Sequence, residues 1–165
     1  MKNIALFLIM FAGFSHADKD VDKALHEITN FRFVSPQLAS SGMLDLESYQ
    51  YIKAYGFEHV INLIPGNQIK ERKHVQSLGL SYQQIAVDWG NPTLENFEAF
   101  VRLMKSYGDH KVYVHCEMNM RASAFVYLYR VTELQEDPEK AIKDMLAIWT
   151  PKGTWQDFID AVLKS

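Results

Sequence analysis

The chain has 165 residues, enough for one domain with a full core, and 48% of them are apolar. Lys and Arg number 17 against 20 Asp and Glu, a net charge of −3, so the basic surface of a general nucleic-acid binder is missing. No stretch is low in complexity, so a globular class is the default.

Residues 1–17, MKNIALFLIMFAGFSHA, set one lysine ahead of an apolar run from Ile4 to Phe14. The segment ends in Ser15-His16-Ala17, with small residues at the two positions a signal peptidase reads. This is the pattern of a secretory signal peptide cut after Ala17. The run is too short for the roughly 20 residues that span a bilayer, and no cysteine follows the cut for lipid attachment. The expectation is a periplasmic or secreted protein with no membrane segment after cleavage, folded as one domain over 18–165.

VDKALHEI predicts a short amphipathic helix. FRFVSPQLASSG predicts two extended pieces broken by Pro36, and LDLESYQYIKAYG a helix stopped by Gly56. HVINLI, ended by Pro65-Gly66, suits a strand buried on both faces. QIKERKHVQSLG predicts a helix and LSYQQIAVD a strand. Thr93 is placed to cap a helix with Leu94, Phe97, Val101 and Met104 on one face. KVYVH predicts the third main strand, with three helices after it. Asp137-Pro138 opens one, whose face is Ala141, Ile142, Met145 and Trp149. Thr154 and Asp157 resemble a capping box for the last, with Trp155, Phe158, Ile159 and Val162 inward. The alternation predicts a three-layer α/β fold, its mainly parallel central sheet covered by helices on both faces.

Ligands of such sheets bind beyond the carboxyl ends of the strands. His115-Cys116 sits at that end of KVYVH, and a helix starts near Arg121. Cys116 is the only cysteine, whereas exported proteins usually carry cysteines in disulfide pairs. It is therefore either a small buried hydrophobe or a retained reactive thiol. A loop entering a helix N-terminus presents unpaired N–H groups and positive potential, which bind oxyanions and favour a thiolate. Arg121 adds a planar fork that grips two oxygens of a phosphate. A thiolate, an N–H cradle and a guanidinium are the parts needed to attack phosphorus and stabilise the transition state.

The string VHC....R at a strand end resembles the signature loop of the cysteine-dependent tyrosine and dual-specificity phosphatases. ASSGMLDLESYQYIKAYGFEHVINLIP followed by SLGLSYQQIAVDW is similar to the front half of their compact bacterial members. The likeness runs from about Phe31 to Val162. It implies a phosphocysteine intermediate on Cys116, phosphoryl oxygens bound by Arg121, and a thiolate tuned by His115. The anion-binding loop would be Glu117, Met118, Asn119, Met120 and, past the arginine, Ala122. The partner would be a phosphorylated small molecule or a phosphoprotein. The loop departs from the family in having four residues, not five, between Cys and Arg. It has Ala122 where Ser or Thr helps the thiolate leave, with Ser123 one place later, and it lacks the usual glycines, although Asn119 tolerates a left-handed conformation. Glu117 also puts a negative charge where an anion would sit.

These departures leave two alternatives: a relative that binds an oxyanion or phosphoprotein without turnover, and a sulfurtransferase. The rhodanese sulfurtransferases often have a loop of Cys, four residues and Arg, but this chain lacks their Asp-x-Arg and Gly-His-Ile stretches. A phosphatase also needs a general acid. The family keeps an aspartate about thirty residues before the cysteine. Asp88, 28 residues before it, is the candidate, with Glu95 and Glu117 behind it; the competing reading of Asp88 is a strand-end turn. His26, His59, His74 and His110 lack paired ligand spacing, so no metal or cofactor is expected. Met118 and Met120 would line or plug the entrance. Trp149–Trp155 would be a connector or a cover for the rim.

Overall fold

The computed structural model describes residues 16–165, so residues 1–15 of the segment read as an export signal lie outside the described residues. In chain order the elements are α1 (His16–His26), β1 (Arg32–Ser35), β2 (Leu38–Ser41), α2 (Tyr49–Ala54), β3 (His59–Asn62) and α3 (Ile69–Ser77). They continue with β4 (Ser81–Gln84), α4 (Leu94–Tyr107), β5 (Val112–His115), α5 (Met120–Thr132), α6 (Pro138–Leu146) and α7 (Thr154–Lys164). One sheet holds all five strands in the order β1-β2-β5-β3-β4. Only the β1–β2 hairpin, turned at Pro36-Gln37, is antiparallel; the other pairings are parallel.

Alternation along the strands sorts the side chains into two cores. Leu38, Ile61, Val112, Val114 and Cys116 meet residues of α4, α5, α6 and α7 on one face. Ala39, Val60, Tyr82 and Tyr113 meet Leu25, Tyr49, Ile52 and Val75 from α1, α2 and α3 on the other. The central strand β5 is buried throughout, and α5 behind it is buried from Arg121 to Arg130. The strand that leads into Cys116 is thus enclosed on both faces.

Several local expectations are corrected. The regular part of α2 begins only at Tyr49, because the Asp45 carboxylate first captures the Ser48 N–H at 2.7 Å and holds a turn. β3 stops at Asn62, whose side-chain oxygen accepts the Ile64 N–H at 2.6 Å. In α4 the Thr93 cap is present and reciprocal with Asn96, but Leu94 is exposed while Phe100 is fully buried. Thr154 does not cap α7: it is already helical, and Gly153 precedes it at φ 54°, a left-handed value that glycine adopts without strain.

Candidate active site

Two neighbouring segments and one side chain hold the loop between β5 and α5. The Cys116 N–H donates to the Ser41 carbonyl at 3.2 Å, and the Met43 N–H donates to the Glu117 carbonyl at 2.8 Å. The Asn30 side chain donates to the Met118 carbonyl at 3.0 Å, and the Asn119 side chain returns a bond to the Asn30 carbonyl at 2.7 Å. Asn119 is fully buried at φ 64° and stands directly before α5, supplying the left-handed turn that glycine would otherwise provide. In a trans peptide C=O and N–H point oppositely, so the Glu117 carbonyl bonded to Met43 turns the Met118 N–H away from that neighbour. Gly42 permits the close approach: a Cβ there would stand 2.7 Å from the Glu117 carbonyl oxygen and 2.9 Å from Thr29 Cγ2.

A cavity of about 270 Å³ opens on this loop, lined by Trp89, Cys116, Glu117, Met118, Met120 and Arg121. Cys116 is buried at its floor. The Arg121 side chain is only 7% exposed; its Nη1 donates to the Glu117 carboxylate at 3.2 Å, and its guanidinium lies 5.4 Å from the centre of the Trp89 ring. Among the described residues, three buried side-chain polar atoms have no partner: His115 Nδ1, Asn119 Oδ1 and Arg121 Nε. All belong to the stretch from His115 to Arg121. Buried polar groups are nearly always bonded, so three exceptions in one short stretch stand out: Arg121 Nε on the cavity side and His115 Nδ1 on the opposite face of the strand end are two of them.

Behind the loop, on the α1–α3 face, His115 Nε2 lies 3.1 Å from both the Tyr49 hydroxyl and Glu71 Oε1. The same Glu71 oxygen accepts from the Tyr82 hydroxyl at 2.7 Å and from Asn62 Nδ2 at 2.7 Å. Burial pushes the Glu71 carboxyl up, but the bonds from His115, Tyr82 and Asn62 outweigh it and hold it below the usual glutamate value.

The other candidates fall as follows. Met118 is half exposed at the cavity mouth and Met120 lines its wall. Ala122, in the first turn of α5, is fully buried in the core, so its side chain is packing. The Ser123 hydroxyl donates to the Met120 carbonyl at 3.1 Å and accepts from Trp149 Nε1 at 3.2 Å. Asp88 is exposed immediately before Trp89, and its carboxylate accepts the Gly90 N–H at 2.7 Å. Glu95 lies in the first turn of α4. Among the described residues no His, Cys, Asp or Glu cluster could hold a metal.

Sequence reasoning passed over Trp89, Glu71 and Tyr49. Trp89 had one available signal, its place next to the nominated aspartate. Trp149 and Trp155 pack against it in tilted pairs with ring centres 5.5 and 5.2 Å away, and Trp155 Nε1 donates to the Trp89 carbonyl at 2.9 Å. The Trp149–Trp155 connector therefore braces the cavity wall. Glu71 and Tyr49 had no local signal, lying 44 and 66 residues from His115.

The chain is similar to a DUF442 phosphatase candidate from Shewanella putrefaciens CN-32, at 33% identity over 86% of this chain and 96% of that one, with a TM-score of 0.78. It shares its fold with the core catalytic domain of the PP-IP phosphatase SIW14 from S. cerevisiae, at 14% identity, 81% and 85% coverage and a TM-score of 0.69. It shares it also with TpbA from P. aeruginosa, at 15% identity, 81% and 84% coverage and a TM-score of 0.66. No protein-family model matches the sequence, and no curated protein matches it.

Proposed function

We infer the reaction from kinship and geometry together: the chain belongs to the DUF442 family and has the fold of the cysteine-dependent phosphatases. The reading is a phosphatase that hydrolyses phosphate monoesters through Cys116. TpbA has been solved with phosphotyrosine and PTPMT1 with PI(5)P, which supports a phosphorylated ligand for this chain as well. The observation that carries the reading is one cavity that joins the buried Cys116 thiol to the Arg121 guanidinium, whose Nε has no partner, on the loop entering α5.

In the proposed mechanism the Cys116 thiolate attacks phosphorus. An S–P bond forms as the ester P–O bond breaks, while Arg121 and the loop N–H groups hold the phosphoryl oxygens. Asp88 gives its proton to the leaving oxygen, for which its carboxylate must leave the Gly90 N–H and turn toward the cavity. Water then attacks the phosphocysteine, the S–P bond breaks, and Asp88 recovers a proton from that water. His115 supports the thiolate from the opposite face of the strand.

The carboxylate of Glu117 on Arg121 favours a second reading, a relative that binds an oxyanion without turning it over. One assay set separates the possibilities. Phosphate release from an aryl phosphate, lost in Cys116→Ser, supports the phosphatase. Protection of Cys116 by vanadate without release supports the binding relative. Thiocyanate from thiosulfate and cyanide supports a sulfurtransferase and rejects both. We further propose that the protein is exported and begins at Asp18, on the pattern of residues 1–17. N-terminal sequencing of the periplasmic or secreted form tests this, and recovery of intact Met1 in the cytosol rejects it.

A further inference from the structure

One oxygen beneath the loop gathers an unusual number of donors. Glu71 Oε1 accepts from Asn62 on β3, Tyr82 on β4 and His115 on β5, and its side chain is 12% exposed. Asn62 and Tyr82 also bond one another at 2.9 Å, so the carboxylate has few alternative positions. An ionised carboxylate only accepts, so the His115 nitrogen facing it carries the proton. That fixes the ring and leaves Nδ1, buried and without a partner, as its remaining valence one residue before Cys116. A carboxylate at one imidazole nitrogen also favours a proton at the other, because it supplies the counter-charge.

We infer that Glu71 is a positioning residue for the chemistry at Cys116, acting through His115 to set the proton and the charge beneath the thiol loop. The link deepens the phosphatase reading and rests on its claim that Cys116 reacts as a thiolate. The thiol and the imidazole lie on opposite faces of the chain at the end of β5, but one peptide unit and one bridge join them. Ser41 accepts the Cys116 N–H on its carbonyl at 3.2 Å, and its hydroxyl bonds the Tyr113 hydroxyl. Tyr113 in turn stacks on His115 at 5.8 Å.

The titratable and charged groups around the pair come from every neighbouring element. Tyr49 approaches from α2, with His74 of α3 6.4 Å beyond its ring. Arg72 stands 5.4 Å over Tyr82. Tyr113 shares β5, while Glu117 and Arg121 face the thiol itself. Of these, only Glu71 puts a formal charge in hydrogen-bond contact with His115.

Cys116 is the only cysteine, so iodoacetamide alkylation of the full chain reports on it alone. In Glu71→Gln the alkylation profile should move to higher pH by about one unit, which is roughly tenfold less thiolate on its rising limb. In a His115→Asn background the same substitution should produce no further shift. An unchanged profile overturns the inference. So does a move to lower pH, which would mean that Glu71 acts as a bare negative charge on the thiol. A shift that survives intact in His115→Asn overturns it too. If Glu71→Gln does not fold, the ring nitrogens of ¹⁵N-histidine-labelled wild-type protein decide: a protonated Nε2 on His115 supports the inference and a bare Nε2 rejects it. Phosphate release is scored separately. A shift without turnover sinks the phosphatase and leaves this link standing; turnover without a shift does the reverse.

Discussion

Arg121 brings a cation to the cavity wall with one nitrogen already taken by Glu117 of its own loop. Glu117 is 54% exposed although Arg121 is only 7% exposed, so the carboxylate end of the pair is solvated and can rehydrate, and the bond contributes roughly 1 kcal/mol. An incoming oxyanion can therefore displace the carboxylate, but it binds more weakly for having to do so. Glu117→Gln should tighten inhibition by vanadate or phosphate by roughly threefold to fivefold, the scale of a pair with one solvated partner. Weaker inhibition would mean instead that Glu117 orients the guanidinium. Asp88 carries the other residue-scale claim. If it is the general acid, Asp88→Asn should lower kcat by roughly 10²–10⁴-fold with poor leaving groups, and far less with good ones that need no proton. Equal losses, or none, would leave Asp88 as the turn residue that its bond to the Gly90 N–H also suits.

At the scale of elements, α5 is both the back of the site and the axis of one core. Arg130 near its end donates Nε to Glu136 at 3.0 Å and Nη1 to Asp144 at 2.5 Å, tying α5 to α6. Both carboxylates are more than a third exposed and can rehydrate when the arginine is lost. Arg130→Ala should therefore cost about 1–3 kcal/mol in urea unfolding, the range of bonds to charged groups, without moving the thiol's reactivity. The strands, helices and their order were legible from period and punctuation, because HVINLI, KVYVH and the capped helices each carry a local signal. Cys116, Arg121 and Asn119 were legible for the same reason, being a strand end, a helix start and a turn. The clamp on the loop was not. Asn30 and Gly42 reach it from 88 and 75 residues away respectively, and nothing near Gly42 in sequence announces the Glu117 carbonyl beside it. Glu71 likewise reads as one more charge on a polar helix until the fold carries it beneath β5.

For the molecule as a whole, the Glu71 node links three strands and a helix, so its ionisation should be visible in global stability. Its folded value lies below the ordinary one, so its contribution is present above the unfolded value of about 4.3 and is lost as pH falls through the folded value. Urea unfolding of wild-type protein should weaken through this acid range. Glu71→Gln should start lower at pH 7 and decline less on acidification; parallel declines would remove Glu71 from the acid response.

If Cys116 takes a phosphoryl group from substrate, rapid quenching of the reaction with an aryl phosphate, followed by mass spectrometry of the peptide carrying Cys116, will catch it there. The expected result is a transient phosphoryl adduct on that sulfur, formed as fast as the first phenol is released and absent in Cys116→Ser. Phosphate release with no adduct on Cys116, or with Cys116→Ser fully active, would contradict it.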